Sequence, residues 1–259
     1  MTTAQSAIAP VDARKLRVAG RRESPRPRAS AARFPAHCGN CSVNELCLSC
    51  GVANDSGFEG LEFTRKRVKR GESLYRAGGI YDSIFAVRSG FFKSNVVLED
   101  GRDQVTGFHM AGEVLGMDGI GTGRHAADAI ALEDSEVSII PAKRLEEPAL
   151  QRQLQKVMSR ELVRGQGVIM LLGTMHAEER LAAFLLNLSQ RFVACGFSPS
   201  EFHLRMTRDE IGSHIGLSLE TVSRLFSRFQ DHGYIAVHQK HIRILDILGL
   251  KAATLHASA

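Results

Sequence analysis

The stretch from Met206 to His238 constrains the fold most tightly, because helix, turn and hairpin signals follow one another there in a fixed order. The residues TRDE at 207–210 have the T-x-x-E form of a capping box, which begins a helix. Gly216-Leu217-Ser218 then predicts a tight turn, and a longer helix is predicted from Leu219 to about Gln230. Two helices joined by a three-residue turn are therefore expected.

The second of these helices has two faces of different character. Its apolar residues recur at the i, i+3, i+4 and i+7 spacing of one buried stripe: Val222, Leu225, Phe226 and Phe229. Polar residues with the same spacing occupy another face: Glu220, Ser223, Arg224 and Ser227. In the major groove of DNA, an arginine can donate to guanine O6 and N7, and a glutamate can accept from cytosine N4. This polar face therefore has the chemistry of a recognition helix.

A hairpin follows the second helix. Gly233 precedes two short predicted strands, at 234–237 and 242–245, which flank the residues HQKH. Two helices and such a hairpin are typical of a winged helix-turn-helix that binds double-stranded DNA. The predicted DNA-binding residues are Thr207, Ser218, Glu220, Thr221, Ser223, Arg224, Arg228 and Lys240. The cations expected near phosphates, where they set register, are Arg205, Arg208, Arg228 and Lys240.

A different pattern occupies residues 61–142. Short apolar runs at 84–87, 91–98, 105–110, 126–132 and 137–140 alternate with Gly or Asp-Gly turn signals. Strands of this length at regular spacing predict a small antiparallel barrel or jelly roll, which ends at Pro141.

Helical spacing begins after this region and continues to about residue 173. Apolar or small residues recur at intervals of 4, 3, 4 and 3: Met158, Leu162, Gly165, Ile169 and Leu172. This is the a/d pattern of a coiled coil, and we interpret it as a homodimer interface. A single core helix can carry the same stripe. Basic residues on the opposite face indicate that only one face is buried: Arg152, Lys156, Arg160 and Arg164.

Four cysteines near the start of the chain are spaced C-x2-C-x5-C-x2-C: Cys38, Cys41, Cys47 and Cys50. Thiolates this close can bind one iron–sulfur cluster or one structural zinc. Zinc patterns usually separate the two pairs by about 12 to 20 residues, which favours the cluster. A disulfide knot is the third alternative and suits small secreted domains. The fifth cysteine, Cys195, follows an apolar helix predicted at 177–194 and is expected to be a buried, inert thiol.

Charge is unevenly distributed along the chain. Residues 1–35 contain eight Lys or Arg against two acids, a net charge of +6, so the remainder of the +5 chain is near −1. This Ala-, Ser-, Pro- and Arg-rich tail is expected to be disordered, although a transit peptide has a similar composition. Neither a secretory signal nor an apolar run of 18 residues occurs, so no membrane partner is expected and a cytoplasmic, reducing location is predicted.

Several longer motifs resemble the CRP/FNR superfamily of bacterial regulators, and within it the oxygen-sensing FNR/Anr branch. They are HCGNCSVNELC at 37–47, FAVRSG at 85–90, QVTGFH at 104–109, AEERLA at 177–182 and ETVSR at 220–224. The resemblance runs from about His37 to Leu245. It implies an α+β chain with a β-roll sensor domain, a long dimerisation helix and a C-terminal winged helix-turn-helix.

These expectations divide the chain into a tail at 1–35, a cluster-binding segment at 36–60 and a β-roll at 61–142. A dimerisation helix at 143–174, a DNA-binding domain at 175–248 and a tail at 249–259 follow. The resemblance further implies an oxygen-labile [4Fe–4S] cluster that promotes dimerisation and binding to a TTGAT half-site when oxygen is scarce. It also implies that the loop near 99–103 contacts RNA polymerase.

The sequence departs from this family pattern at two places. The family's fourth cluster ligand is a cysteine where this chain has Ser138, so we hypothesise that Cys50 replaces it, with His37 or Ser138 as alternatives. Gly112-Glu113 resembles the start of a cyclic-nucleotide phosphate cradle, but His125-Ala126 stand where an Arg-Ser/Thr pair is needed. A buried phosphate would then be poorly compensated, so cyclic AMP binding is not expected.

Two other classes of function are open at this point. A cluster-free regulator could respond through reversible oxidation of the thiols at 38–50, or bind DNA constitutively. An enzyme is not expected, because no nucleophile–base motif, phosphate-binding loop or metal-hydrolase signature occurs in the sequence.

Overall fold

The computed structural model describes residues 64–254. Its first part is a β-roll of eight antiparallel strands: β1 (Thr64–Val68), β2 (Ser73–Tyr75), β3 (Ser83–Ser89), β4 (Phe91–Val97), β5 (Asp103–Met110), β6 (Val114–Leu115), β7 (Asp128–Ala131) and β8 (Ser135–Pro141). They form two four-stranded sheets, in the orders β1-β8-β3-β6 and β2-β7-β4-β5. Apolar side chains from both sheets, among them Val87, Phe92 and Val137, fill the space between them. The predicted jelly-roll architecture is confirmed.

The turn between β3 and β4 shows why one glycine is required. Gly90 has φ +94°, and a Cβ there would collide with Ser135. The Ser135 hydroxyl accepts a hydrogen bond from the Phe91 amide at 3.2 Å and donates one to the Glu133 carbonyl at 2.7 Å. Glycine therefore permits both the positive φ and the close approach of β8.

A 3-10 turn (Ala142–Glu146) leads into the long helix α1 (Pro148–Thr174). Pro148 occupies the first turn, where its missing N–H leaves no helical hydrogen bond unmade. Leu150, Leu154 and Val157 pack on Ile84, Ala86, Val114 and Ile140 of the roll. The first three turns of α1 are therefore part of the roll's own core.

The C-terminal part contains α2 (Ala177–Ala194), β9 (Glu201–His203), α3 (Arg208–Ile215), α4 (Leu219–Asp231), β10 (Ile235–His238), β11 (His241–Ile244) and α5 (Ile247–Ala252). The three strands form one sheet in the order β10-β11-β9. β9 was not predicted, because three residues between polar and glycine-containing segments carry too little pattern. The predicted tail from residue 249 is corrected: α5 continues to Ala252, and Leu250 is completely buried.

The roll and the C-terminal part share one apolar cluster in the protomer. Phe91, Val105, Phe108 and Met110 of the roll join buried side chains of α2 to α5. The edge strand β5 also bonds to α3, since the Val105 amide donates to the Ser213 hydroxyl at 2.8 Å. This contact covers an otherwise exposed sheet edge and fixes α3 beside the roll.

Candidate nucleic-acid interface

The N-terminus of α3 is held by the predicted capping box. The Thr207 hydroxyl accepts a hydrogen bond from the Glu210 amide at 3.1 Å, and the Glu210 carboxylate accepts one from the Thr207 amide at 2.7 Å. Glu210 also pairs with Lys93 of β4 at 3.0 Å. Thr207 is thus exposed but structurally engaged, and Glu210 links the first helix of the motif to the roll.

The turn between α3 and α4 depends on two glycines. Gly216 ends α3 in the left-handed conformation, with φ +68°. At Gly212 a Cβ would collide with the Leu217 carbonyl oxygen, so the turn can fold back against α3 only because this side chain is absent. Ser218 then begins α4, and its hydroxyl accepts from the Thr221 amide at 3.2 Å. Gly212 was not predicted to matter, because a glycine inside a helix carries no turn signal in the sequence.

Helix α4 separates its two faces as predicted. Val222, Leu225, Phe226 and Phe229 are buried. The polar residues of the opposite face are exposed: Glu220, Ser223, Arg224 and Ser227. The Arg224 Nε donates to the Glu220 carbonyl oxygen at 3.4 Å, a long contact that leaves the rest of the guanidinium exposed. This face is exposed enough for the helix to insert it into the major groove of DNA.

Glu220 stands in the first turn of α4, where unpaired backbone amides favour negative charge. Its own backbone amide and the Ser218 side chain lower the pKa of the Glu220 carboxyl. The group is therefore ionised at neutral pH and acts only as a hydrogen-bond acceptor. An acceptor at this position suits a cytosine amino group.

The four cations expected near phosphates have different surroundings. Arg228 pairs with Glu178 of α2 at 3.0 Å, yet its side chain is exposed. Lys240 donates to the Arg205 carbonyl at 3.2 Å, and Arg205 pairs with Glu133 of the roll at 2.9 Å. The three cations and Glu178 lie in the C-terminal part of the chain, whereas Glu133 belongs to the roll.

Arg208 was predicted to lie near DNA phosphates, and the structure gives its side chain a different contact. Its guanidinium lies 3.2 Å from the centre of the Phe226 ring, and burial lowers the pKa of Arg208 to about 10. The guanidinium covers the apolar core where α3 meets α4, a cation–π contact. Arg208 therefore contributes to packing between the two helices and is not a free phosphate ligand in this conformation.

The predicted dimer stripe of α1 is exposed in the protomer. Leu162 and Ile169 are 66% and 72% exposed, and Met158 and Leu172 are also exposed. Apart from its chain neighbours and the nearby backbone of α1, no described atom lies within 4 Å of the position where a Cβ of Gly165 would be. Val163 and Met170 extend the exposed apolar surface, although the predicted a/d pattern did not include them. Leu162 and Ile169 are thus largely uncovered, whereas the Leu172 side chain lies beside Gly216 at the turn between α3 and α4.

Arg180 joins this helix to the DNA-binding motif. Its guanidinium donates to the carbonyls of Met175 and Leu172, each at 2.8 Å, and to that of Ile215 at 3.3 Å. The first two contacts cap the C-terminus of α1, and the third holds the last turn of α3. Sequence reasoning gave Arg180 no role, although it belongs to the AEERLA motif.

A buried ionic cluster lies where the roll meets α1 and α2. Glu113 of the roll pairs with Arg164 of α1 at 2.8 Å and with Arg191 of α2 at 2.7 Å. Burial by itself would raise the pKa of Glu113, but Arg191 and Arg164 outweigh burial and lower the pKa below its usual value. Glu113 is therefore a carboxylate that connects three parts of the fold.

The residues at the positions of a nucleotide cradle are engaged within the protein. Glu113 belongs to the ionic cluster. His125 is buried, stacks on Tyr75 with ring centres 3.8 Å apart, and lies 3.2 Å from an Asp118 oxygen. The Arg124 side chain donates to the Gly78 carbonyl at 2.7 Å. These side chains are therefore held by other groups of the protein.

The predicted cluster ligands Cys38, Cys41, Cys47 and Cys50, and the alternative His37, lie outside the described residues. Within 64–254, no group of three or more His, Cys, Asp or Glu side chains is arranged to hold a metal ion. Ser138 is buried in β8, and its hydroxyl lies 3.5 Å from an Arg88 nitrogen. Cys195 is buried beside the Ala111 carbonyl, as expected of an inert thiol.

Two domain families match the chain. The cyclic nucleotide-binding domain matches residues 65–151, and the Crp-like helix-turn-helix domain matches residues 179–253. Across the described part of the chain, no helix has the length and apolar character needed to cross a membrane.

Curated relatives cover most of the chain. The transcriptional regulatory protein btr of Bordetella pertussis is 44% identical over 223 residues, which are 83% of this chain and 92% of that protein. The transcriptional activator protein FnrA of Stutzerimonas stutzeri is 44% identical over 85% of this chain and 93% of that protein. The fumarate and nitrate reduction regulatory protein of Escherichia coli is 44% identical over 80% of this chain and 86% of that protein.

Solved structures show the same architecture. FixK2 from Bradyrhizobium japonicum superposes with a TM-score of 0.69 and 29% identity, over 74% of this chain and 98% of that one. TTHA1359 from Thermus thermophilus, a CRP/FNR family regulator, has a TM-score of 0.62 at 24% identity, over 74% and 98% of the two chains. The exposed recognition face, the two matching domains and these relatives agree, and the chain belongs to the CRP/FNR family as a DNA-binding transcription regulator of the FNR type.

Proposed function

We propose that this regulator is a cytoplasmic homodimer that binds a TTGAT-type palindrome and responds to oxygen or redox state through a cluster bound by Cys38, Cys41, Cys47 and Cys50. The observation that carries the DNA-binding part is the α4 surface, on which Glu220, Ser223 and Arg224 are exposed above a buried apolar stripe. The names of the FNR-type relatives support the oxygen-responsive part.

Base recognition rests on two oppositely charged groups one helical turn apart. Arg224 can donate to guanine, and the ionised Glu220 can accept from cytosine, so the pair suits the G·C position of TTGAT. Ser223 and Thr221 lie between them in the sequence and can adapt to neighbouring bases or phosphates. We place Thr207, Ser218, Arg228 and Lys240 at the edge of the same interface.

Binding to a palindromic site can be tested with Arg224→Ala. This substitution should weaken binding to the TTGAT palindrome by about 1–3 kcal/mol per half-site and reduce discrimination at the G·C pair. The matched control is Arg152→Ala, which removes an exposed arginine from α1. Fluorescence anisotropy at one fixed salt concentration is the measurement. If Arg224→Ala weakens all DNA sequences equally, Arg224 contacts phosphate and not a base.

Dimerisation is proposed to occur through the exposed stripe of α1, since regulators of this family bind DNA as dimers. Met158, Leu162, Gly165, Ile169 and Leu172 would meet the same residues of a second copy around a two-fold axis. Gly165 leaves room for the two helices to approach closely. The pairing would present two α4 helices to half-sites one turn of DNA apart.

The cluster is proposed to be a [4Fe–4S] centre held entirely by the segment at 38–50. The burial of Ser138 within β8, with its hydroxyl 3.5 Å from an Arg88 nitrogen, supports Cys50 as the fourth ligand in its place. A bound cluster would supply an oxygen- and redox-sensitive metal centre, for which residues 64–254 offer no group of ligands of their own.

Anaerobic purification followed by iron and sulfide assay tests the cluster. We expect about four iron atoms per chain, lost from Cys50→Ser and retained by the control Cys195→Ser. A colourless, iron-free protein would favour a cluster-free regulator in which the thiols at 38–50 are oxidised reversibly. Unchanged iron content in Cys50→Ser would show that Cys50 is not a ligand.

Two partner assignments complete the proposal. The loop at 99–103 is exposed between β4 and β5, and we assign it a contact with RNA polymerase. Cyclic AMP is not assigned as a ligand, because His125 and Glu113 are held by other protein groups where the cradle would be. Transcription in vitro with residues 99–103 replaced by glycine and serine tests the first assignment. Equilibrium dialysis with cyclic AMP tests the second.

A further inference from the structure

Three arginines surround one carboxylate on the outer face of the roll, where β1 pairs with β8. Glu136 of β8 is the cross-strand partner of Arg67 and points away from the core, because its neighbour Val137 is buried inside the roll. Arg65, Arg67 and Arg88 each have a nitrogen 3.5 to 3.8 Å from an oxygen of this carboxylate. One negative charge is therefore shared among three guanidinium groups.

These ion pairs are weak by themselves. The side chains of Arg65 and Arg67 are 62% and 90% exposed, and all three distances exceed ordinary hydrogen-bond lengths. Arg88 also donates to the Ser138 hydroxyl, at 3.5 Å. Contacts among residues 64–254 therefore leave the positive charge of this surface largely uncompensated.

Further cations continue this surface along the same edge of the roll. We call the set the basic face: Arg65, Lys66, Arg67, Lys69, Arg70 and Arg88. Two more carboxylates lie beside it, since Glu72 accepts from the Lys69 amide at 2.7 Å and Asp134 accepts from the Arg70 amide at 2.9 Å. Six cations against these two carboxylates and Glu136 leave a surplus of three positive charges.

The chain immediately before the basic face has the opposite charge. Residues 36–63, which we call the acidic segment, have a net charge of −4, because they contain no Lys or Arg and four acids: Glu45, Asp55, Glu59 and Glu62. The segment ends where β1 begins, at Thr64. It is thus tethered to a surface that its charge complements, and a tethered partner acts at high effective concentration. The tail at 1–35 has a net charge of +6 and would be repelled by the same surface.

We infer that the acidic segment binds the basic face of the same chain, where its carboxylates pair with the arginines around Glu136. The inference rests on the proposed function, in which this segment holds the cluster. Glu136 lies on the same face of β8 as Ile140, which packs under the first turns of α1. The bound segment therefore lies beside the dimerisation helix, and its attachment is a physical link between the two.

The attachment is electrostatic, so it needs no cluster ligand from the roll, where Ser138 stands in β8. Attraction between exposed charges extends about 8 Å at 0.15 M salt and about 3 Å at 1 M salt. High salt should therefore release the acidic segment from the basic face.

Hydrogen exchange of the full-length protein, purified without oxygen, measures this binding as amide protection at 51–63. Wild type should be protected at about 0.05 M salt and should lose about tenfold in protection at about 1 M salt. Arg65→Glu combined with Arg67→Glu should lose the same protection at low salt. The matched control, Arg152→Glu combined with Lys156→Glu, removes two exposed cations from α1 and should equal wild type.

A charge swap sharpens the test. Adding Glu59→Lys and Glu62→Lys to the variant with Arg65→Glu and Arg67→Glu reverses both partners and should restore protection at low salt. Equal protection in wild type and in the doubly reversed basic face would overturn the inference. A loss that the swap does not restore would also overturn it, because the two arginines would then act through the fold of the roll.

DNA is the rival partner for the basic face, so operator affinity and iron content are measured on the same preparations. Unchanged protection together with weaker operator binding in Arg65→Glu with Arg67→Glu would assign the face to DNA phosphate and overturn the inference. An iron-free wild type with a protected segment would contradict the proposed cluster and leave the inference standing, since the carboxylates belong to side chains.

Discussion

The two halves of α1 use the same kind of apolar residue for different contacts. In the first half, Leu150 is completely buried against the roll of the same protomer, together with Leu154 and Val157. In the second half, Leu162 and Ile169 are largely exposed. One helix thus completes the core of its own domain and then presents an apolar stripe to solvent, which is a surface that needs a partner.

An ionic cluster lies near the middle of α1, between its two halves. Arg164 lies on the side of α1 that faces Glu113, and the Glu113 carboxylate also binds Arg191 of α2. The stripe, in contrast, contains no titratable side chain at any of its five positions. The junction around Glu113 is therefore intramolecular and sensitive to pH, whereas the stripe is an exposed surface whose association does not depend on a titrating side chain of its own.

The largest effect is expected from Glu113→Gln at this junction. Removing the carboxylate leaves the partly buried Arg191 guanidinium without its counter-charge and Arg164 with Glu161 alone, which should lower the free energy of unfolding by about 3–5 kcal/mol. Urea unfolding measures the change. Glu147→Gln is the control, because it removes an ion pair with Arg144 in which the carboxylate is 41% exposed, and it should change the free energy of unfolding by less than about 1 kcal/mol. A change below about 1 kcal/mol for Glu113→Gln would mean that the junction is solvated.

The same change from leucine to alanine can be made in each half of α1, as Leu150→Ala and as Leu162→Ala. Leu150→Ala should lower the free energy of unfolding by about 2–5 kcal/mol, because a cavity replaces the buried side chain. The exposed site should change the unfolding free energy of the dilute protomer by less than about 0.5 kcal/mol. Equal losses would contradict the division of α1 into a buried and an exposed half.

Lowering the pH from 7 towards 4 should reduce the free energy of unfolding of the protomer, and it should not change the charge of the stripe. His109 and His214 have folded-state pKa values of about 4, below the ordinary 6.5, so the unfolded chain binds more protons below pH 6.5. Stability should therefore fall as pH decreases from 6.5 to 4, with about 2.5 kcal/mol lost between pH 7 and pH 5.5 for the two histidines together.

Glu113 adds a second, lower pH window. Its folded-state pKa is lowered, so its contribution is present above the ordinary carboxyl pKa of about 4.5 and is lost as pH falls through the folded value. Urea unfolding at several pH values measures both windows. A stability that is constant from pH 7 to pH 5.5 would show that the pKa values of the two histidines are not lowered in the folded state.

Ile169→Glu should have the smallest effect on the protomer's own fold and the clearest effect on association. A charge on the stripe faces its symmetry mate in the dimer, so the dissociation constant should rise about 100-fold, a loss of about 2.7 kcal/mol. Leu248→Glu, at an exposed apolar site on α5, is the matched control. Sedimentation equilibrium distinguishes the two, and an unchanged dimer in Ile169→Glu would exclude this stripe as the interface.

Much of the C-terminal domain was predictable because its signals are local. The capping box at Thr207, the turn at Gly216 and the apolar spacing in α4 each act over less than two helical turns, and all three occur as predicted. Arg208 was misassigned for the same reason: a local pattern shows a basic residue at a helix start but not the Phe226 ring that it covers.

The amino-acid sequence by itself determined the order of the elements, the faces of α4 and the residues of the apolar stripe, since each depends on spacing along the chain. Only the tertiary structure decided that Glu113, Arg164 and Arg191 meet, that Arg180 joins α1 to α3, and that three arginines share the Glu136 carboxylate. These contacts join residues far apart in the chain, and their energies depend on burial and distance, which no periodic pattern encodes.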